Sequence, residues 1–491
     1  MLVAGVDSST QSTKVLLCDA ADGTVVGRGS APHPGGTECD PAAWWEALLA
    51  AGAGLLGRAA AIGVAGQQHG MIVLGEDGQV IRPALLWNDL RSAAAAAELI
   101  GEFGGPSWWA DRTGSVPTAS FTVTKLRWLA EHEPAHARRV AGVMLPHDWL
   151  TWRLSGSDPA TDRGDASGTG YFSPATGQWL PDLAAAALGH PVRLPRVASP
   201  GEVVGRAAGA ALEPASLVVS AVLGTPVLSG APALPDGAAL PEGTVISAGT
   251  GDNMGAALGL GLEAGDVVIS IGTSGTAFAV SEVPADDPSG AVAGFADATG
   301  RFLPLVCTIN AALVLSATAT MLGTDNDGLS GLALAAEPGA GGLTLLPYLD
   351  GERTPDRPAA TGVLRGLTTR NATSQNLARS AVEAVLASLA DAATHLAGCG
   401  VEQRRVLLIG GGARSEAVCR LAPGIFGAPV AVPEPEEYVA LGAARQAAWA
   451  LAGTAAPPDW PRPGAAEYFG RPEPQVRERH VALREDTAGW S

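Results

Sequence analysis

Asp7-Ser8-Ser9-Thr10 closes the apolar run Leu2–Val6, and Gly272-Thr273-Ser274-Gly275 closes a second run, Asp266–Ile271, in the other half of the chain. Short apolar runs bounded by turn residues read as buried strands. A corner built of small polar residues can turn its backbone N–H groups toward an anion. Each corner leads into another strand-like run, Lys14–Asp19 in the first case and Thr276–Val280 in the second. Two such corners predict a duplicated nucleotide-binding core, and few folds accommodate that.

The runs around the corners extend the prediction. Ala21-Asp22-Gly23 is a hairpin turn leading to Thr24–Gly29, which gives three consecutive antiparallel strands. Trp44–Ala61 reads as a helix by its Ala, Leu and Trp spacing, and Ala61–Gly66 as a buried strand ending at Gln67-Gln68-His69-Gly70. Another strand-like run ends at Trp87-Asn88-Asp89, ahead of a helix over Ser92–Ile100. In the second half, Thr244–Ala248 reads as a strand and Met254–Leu260 as a short helix. A long helix, Ser374–Ala397, precedes the strand Arg405–Ile409, which runs into Gly410-Gly411-Gly412-Ala413 and a helix from Ser415. Strand, glycines and helix in that order present backbone N–H groups at a helix N-terminus, where phosphates bind.

These elements predict an α/β chain. The Gly/Pro-rich passage Ser229–Gly243 is the expected interdomain connection. It divides the chain into an N-terminal domain (1–242) and a C-terminal domain (243–452), followed by a Pro-rich surface tail (453–491). At 491 residues, with 47% hydrophobic and 16% charged residues, the chain can bury two large cores. A formal charge of −18 with no basic patch disfavours nucleic acid and anionic membrane surfaces as partners. An acidic protein that binds an anionic nucleotide needs a divalent cation and backbone dipoles to offset its own field. Five scattered cysteines (Cys18, Cys39, Cys307, Cys399, Cys419) give neither a disulfide framework nor metal-ligand spacing. With no targeting segment and no spanning-length apolar run, a cytoplasmic protein is expected.

Chemistry concentrates at the corners. Gly251-Asp252-Asn253 sets a carboxylate beside a flexible glycine, shortly before the Gly272–Gly275 corner. A base and a phosphate cradle so close in sequence suggest phosphoryl transfer to an alcohol, in which a carboxylate orients the nucleophile. Helix capping ahead of Met254 is the plain alternative for Asp252, and the two roles are compatible. Asp7, with Thr10 and Lys14 following, fits a group that holds a metal or its water near phosphates, against a turn-forming role. Lys14 and Lys125 are the only lysines among many arginines. His69 and Trp87-Asn88-Asp89 follow strands, where ligands of α/β sheets sit. An aromatic face beside an amide and a carboxylate suits a polyhydroxylated ligand. Trp108-Trp109 reads as packing.

Taken in order, these stretches resemble the FGGY carbohydrate kinases of the actin-like ATPase superfamily. The resemblance rests on Asp7–Lys14, Gly66–Gly70, Leu86–Arg91, Lys125–Trp128, Gly251–Asn253, Ile271–Gly275, Gly351–Pro355, Gly410–Arg414 and Ala440–Ala444. It also takes in Ser120–His132 and Gly362–Glu383, the two stretches that commonly define the family, and covers almost the whole chain. It implies two actin-like (ribonuclease H-like) domains, each a mixed sheet flanked by helices, closing on a cleft. ATP would lie mainly against the C-terminal domain and a sugar against the N-terminal one.

By position, the resemblance makes Asp252 the proton acceptor and Asp7 the support for Mg²⁺ or the transferring phosphoryl group, with both carboxylates near the metal. Gln68, His69, Trp87, Asn88, Asp89 and Asn253 would line the sugar pocket. Thr10, Lys14, Gly272, Thr273, Ser274 and Gly275 would surround the phosphates, with Gly410, Gly411, Gly412 and Ala413 against the adenosine. The implied reaction is transfer of the ATP γ-phosphoryl group to the terminal hydroxyl of a sugar, D-xylulose first. Another pentulose, a polyol or gluconate is the alternative substrate, and a catalytically silent sugar- or nucleotide-binding regulator the alternative function. Related kinases suggest a homodimer.

Four departures from the family pattern stand out. Ser9 replaces a glycine, Gln68 replaces a methionine, Ser229–Gly243 is long, and Glu434–Glu437 replaces a glycine-rich approach to Leu441-Gly442.

Overall fold

The computed structural model describes residues 1–207 and 240–490, and the backbone of the paired strands Ser216–Val219 and Pro226–Ser229. The connection expected at Ser229–Gly243 therefore lies mostly outside the described residues.

Each half folds around a seven-stranded mixed sheet. In the first, Val25–Pro32, Ser12–Asp19 and Leu2–Ser8 are successive antiparallel neighbours; Ala61–Gly66 and Val245–Ser247 then continue parallel to the last. The second repeats this order with Phe302–Thr308, Gly275–Ala279, Asp266–Ile271, Arg405–Ile409 and Val430–Pro433. Each series ends in an antiparallel edge strand, Val203–Arg206 in the first sheet and Ala465–Tyr468 in the second. The duplication read from the two corners is thus a duplication of sheet order. Alternating burial in Val25–Pro32 marks a half-exposed strand, while Ala61–Gly66, buried on both faces, is apolar throughout.

Two boundaries differ from the sequence reading. The helix expected over Trp44–Ala61 is Pro41–Gly52, capped by Asp40, whose carboxylate accepts from the Ala42 N–H at 3.0 Å. It stops because Gly54 takes a positive φ of 70°, after which only a short turn, Leu56–Arg58, precedes the next strand. The tail is more than a surface cover. It supplies the edge strand Ala465–Tyr468 and the helix Pro474–Asp486, whose Val476 is buried in the second core. The first sheet also takes in Val245–Ser247 and Thr250–Gly251, so the chain leaves it just before Asp252.

The helices Asp252–Leu260 and Tyr438–Ala452 pack on one another between the sheets. Side chains of the first share a core with Val268, Phe278 and Leu407 of the second sheet. Side chains of the other share one with Val3, Leu16 and Ala61 of the first. The crossing depends on glycine. A Cβ on Gly442 would lie 1.8 Å from the Gly255 carbonyl oxygen, and one on Gly5 would lie 1.8 Å from that of Ala440.

Candidate active site

Register fixes the acidic centre. Asp7 and Ser8 pair with Ala65 and Gly66 on one side of the strand Ala61–Gly66, and Thr250 and Gly251 pair with the same two residues on the other. The carboxyl ends of three neighbouring parallel segments thus bring Asp7 and Asp252 to one rim, with Gln67 and Gln68 between them. Two strand spacings put the flanking backbones about 10 Å apart, close enough for the carboxyl groups to feel one another.

Both carboxyl groups are held above the usual carboxylate range. Burial raises Asp7 to about 6, against the lowering effect of the Ser9 hydroxyl and Lys14. Burial and then the charge of Asp7 raise Asp252 to about 7, while hydrogen bonds from Asn253 act the other way. Asp252 is not the helix cap. Gly251 occupies that position, and Asp252 Oδ1 accepts from the Asn253 N–H at 2.7 Å and its side-chain amide at 2.8 Å. The same amide donates to Gln68 Oε1 at 3.1 Å, so Asn253 ties Asp252 to Gln68. The departure at Ser9 has a local reason: its hydroxyl donates to Asp7, and its backbone needs no positive φ.

His69 is buried and takes a left-handed φ of 66°. Its Nδ1 lies 2.6 Å from the Gly168 carbonyl oxygen, so Nδ1 carries the proton and Nε2 is left as an acceptor. Its own carbonyl accepts from Lys125 Nζ at 3.1 Å and Thr122 Oγ1 at 3.2 Å. Its ring packs on Phe121 and on Phe295 of the second sheet. Burial and the nearby Lys125 push its pKa down to about 3, so the ring is neutral at working pH.

Trp87 donates to Thr10 Oγ1 at 2.8 Å, linking a sugar-pocket candidate to a phosphate-turn candidate. Asn88 keeps a buried Oδ1 without a partner. Asp89 is engaged by Arg91, whose Nε donates to Oδ1 at 2.8 Å. Lys14 is held at 2.6 Å by Glu437, and Arg28 pairs with Glu436. Two of the acidic residues in Glu434–Glu437 thus anchor the first sheet to the start of the helix Tyr438–Ala452, and the lysine expected at the phosphates is bound to one of them.

In the second half, Ser270 pairs with Ile409, and Gly272 and Gly410 follow these two positions. Gly410 has a φ of 87°, and a Cβ there would lie 2.7 Å from the Ile271 carbonyl oxygen, so the glycine loop seats against the base of the other turn. Gly411–Arg414 forms one 3₁₀ turn before the helix Glu416–Phe426. Thr273 is exposed, Gly272 and Ser274 are partly so, and Gly275 is buried against Thr308.

Three residues without an assigned role also belong here. Lys125 is fully buried, and burial pushes its pKa down to about 7. The charge of Arg353 acts on His69, Lys125 and Cys307, and that of Asp252 acts on Cys307. Lys125–Trp128 and Gly351–Pro355 were visible as motifs, but their side-chain roles depend on contacts across the fold.

Two mixed sheets of one strand order, each flanked by helices, have the architecture of the actin-like fold. Models of the FGGY family of carbohydrate kinases match residues 2–232 (N-terminal domain) and 267–451 (C-terminal domain). The chain is 47% identical over 460 residues to a xylulose kinase of Streptomyces coelicolor, covering 92% of this chain and 88% of that protein. It is 34% identical to a xylulose kinase of Escherichia coli over 84% of this chain and 82% of the other. The crystal structure of a xylulose kinase from Bifidobacterium adolescentis superposes with a TM-score of 0.86 at 44% identity, over 99% of both chains. The chain belongs to the FGGY family, and is a carbohydrate kinase that uses ATP. No helix among the described residues is long and apolar enough to cross a membrane.

Proposed function

We propose that the chain phosphorylates D-xylulose to D-xylulose 5-phosphate, with Asp252 as the base. The observation that carries the substrate is the 47% identity with the Streptomyces coelicolor xylulose kinase over nearly the full chain. The role of Asp252 is supported by its pKa of about 7, since a base works best near the operating pH.

In this reading the terminal hydroxyl of the sugar donates to Asp252, whose carboxylate Asn253 orients. His69 Nε2 accepts a second sugar hydroxyl, while Gln68, Trp87, Asn88 and Asp89 complete the pocket. Thr10, Lys14 and the Gly272–Gly275 turn face the phosphates, and Gly410–Ala413 faces the adenosine. Asp7 and Asp252 fit a Mg²⁺ site. They are hard oxygen donors whose burial raises both pKa values, and a cation between them would relieve that. When bound, Mg²⁺ would neutralise phosphate charge. Closing of the two halves would exclude water, which otherwise competes with the sugar for the phosphoryl group. We place the protein in the cytoplasm, where ATP is supplied and its free cysteines stay reduced.

The test is ADP formation by the purified protein with MgATP and a panel of D-xylulose, ribulose, glycerol and gluconate. Stimulation by D-xylulose well above the others supports the reading. Stimulation by another sugar or polyol would overturn the substrate, and none by any would overturn the kinase assignment for these acceptors.

A further inference from the structure

Behind the acidic rim lies a group of ionisable side chains for which phosphoryl transfer has no direct use. His147, Asp148, Asp162 and Asp165 are all at most 2% exposed. His147 Nδ1 is 2.6 Å from Asp165 Oδ2, and Nε2 is 3.3 Å from Asp148 Oδ1 and 3.8 Å from Asp162 Oδ1. One ring therefore meets three carboxyl groups. Burying so many charges is costly without a cation among them. Burial by itself would push the His147 pKa down, but Asp148 and Asp165 outweigh it and raise it to about 10. Burial likewise raises Asp165 to about 7 and Asp148 to about 6.

The place of this group matters more than its charge. The ring of His147 is wedged against the turn that carries Asp252: a Cβ on Gly249, whose φ is 78°, would lie 2.4 Å from His147 Cδ2. Gly66, ahead of Gln67 and Gln68, packs on the backbone of His147, where a Cβ on the glycine would lie 3.0 Å from the His147 nitrogen. Asp162 Oδ2 accepts from Thr250 Oγ1 at 3.1 Å, two residues before Asp252. Asp162 also accepts from the Gly164 and Asp165 N–H groups, and Asp148 Oδ2 from the Leu145 N–H, so these two carboxyl groups are tied to backbone, while Asp165 is held through His147 Nδ1.

We infer that His147 is a positioning residue for phosphoryl transfer: as an imidazolium clasped by Asp148, Asp162 and Asp165, it fixes the Gly249–Asp252 turn and so the placing of the Asp252 carboxylate. The inference rests on the reading of Asp252 as the base. His147 touches no substrate in this account and acts only through the turn.

A kinetic double-mutant cycle tests it, using sugar-dependent ADP formation by the full-length protein. His147→Gln keeps the size of the side chain and removes the charge. It is expected to lower kcat about 10–100-fold, the usual effect of misplacing a catalytic group, with KM for ATP little changed. In the Asp252→Asn background the same substitution is expected to cost almost nothing further, because the group it positions is already disabled. A purely structural role would give the same fold-loss in both backgrounds. Equal losses, or wild-type kcat in His147→Gln, would overturn the inference while leaving the base assignment intact. Wild-type turnover in Asp252→Asn alone would overturn both. If His147→Gln does not fold, Asp165→Asn enters the same cycle with the same two outcomes.

Discussion

The pKa of Asp252 is a property of its surroundings. Burial raises it first and the charge of Asp7 second, giving a group near 7 where a free aspartate titrates near 4. As the proposed base, Asp252 acts only when deprotonated, so kcat/KM for MgATP, which reports the enzyme before the metal arrives, is expected to fall about tenfold per pH unit below roughly pH 7 and to level off above it. Two interacting carboxyl groups titrate as a pair, so the limb belongs to both. Asp7→Asn removes one repulsive charge and is expected to move the limb to lower pH, whatever it does to the maximal rate. A pH–rate profile of that variant checks this, and a limb that stays in place would contradict the coupling. These residues were legible as candidates because Asp7 closes an apolar run and Asp252 sits beside a glycine shortly before the Gly272–Gly275 corner. What the chain order concealed was their company. That Asn253 joins Asp252 to Gln68, or that Glu437 holds Lys14, depends on register and on contacts hundreds of residues apart in sequence.

At the scale of elements, strands with strong apolar character were readable almost to the residue, Ala61–Gly66, Asp266–Ile271 and Arg405–Ile409 among them. The helix after Trp44 was over-extended because alanine and leucine continue past the point where Gly52 and Gly54 end it. The Pro-rich tail read as surface cover because its strand, Ala465–Tyr468, is short and mostly exposed, and is specified by its partner Val430–Pro433. The crossing helices Asp252–Leu260 and Tyr438–Ala452 show what the Ala440–Ala444 motif is for: small residues let two backbones approach. Gly442→Ala would place a methyl group 1.8 Å from the Gly255 carbonyl oxygen. Because backbone must move to accept it, a loss of about 1–3 kcal/mol is expected. Urea unfolding of the variant measures this, and an unchanged midpoint would mean that the helices slide freely at the crossing.

The whole molecule is two copies of one sheet order facing each other across a pair of helices, with the acidic rim on one copy and the glycine turns on the other. His69 already touches both halves through Phe121 and Phe295. Sugar and nucleotide bound together are therefore expected to hold the halves closed and stabilise the fold. At a ligand concentration of 100 times Kd the gain is about 2.7 kcal/mol for each independent site. Thermal unfolding with D-xylulose, with a non-hydrolysable ATP analogue and with both measures the coupling. A shift with both ligands larger than the sum of the separate shifts is expected, and simple additivity would mean that the halves respond independently.

The most direct test of the account is single-turnover phosphoryl transfer from ATP to D-xylulose by the wild-type protein and by Asp252→Asn, with sugar affinity measured on both. A fall in the transfer rate of about 10²–10⁴-fold, the usual contribution of a positioned base, is predicted with sugar binding retained. Equal transfer rates in the two proteins would contradict the assignment of Asp252 as the base.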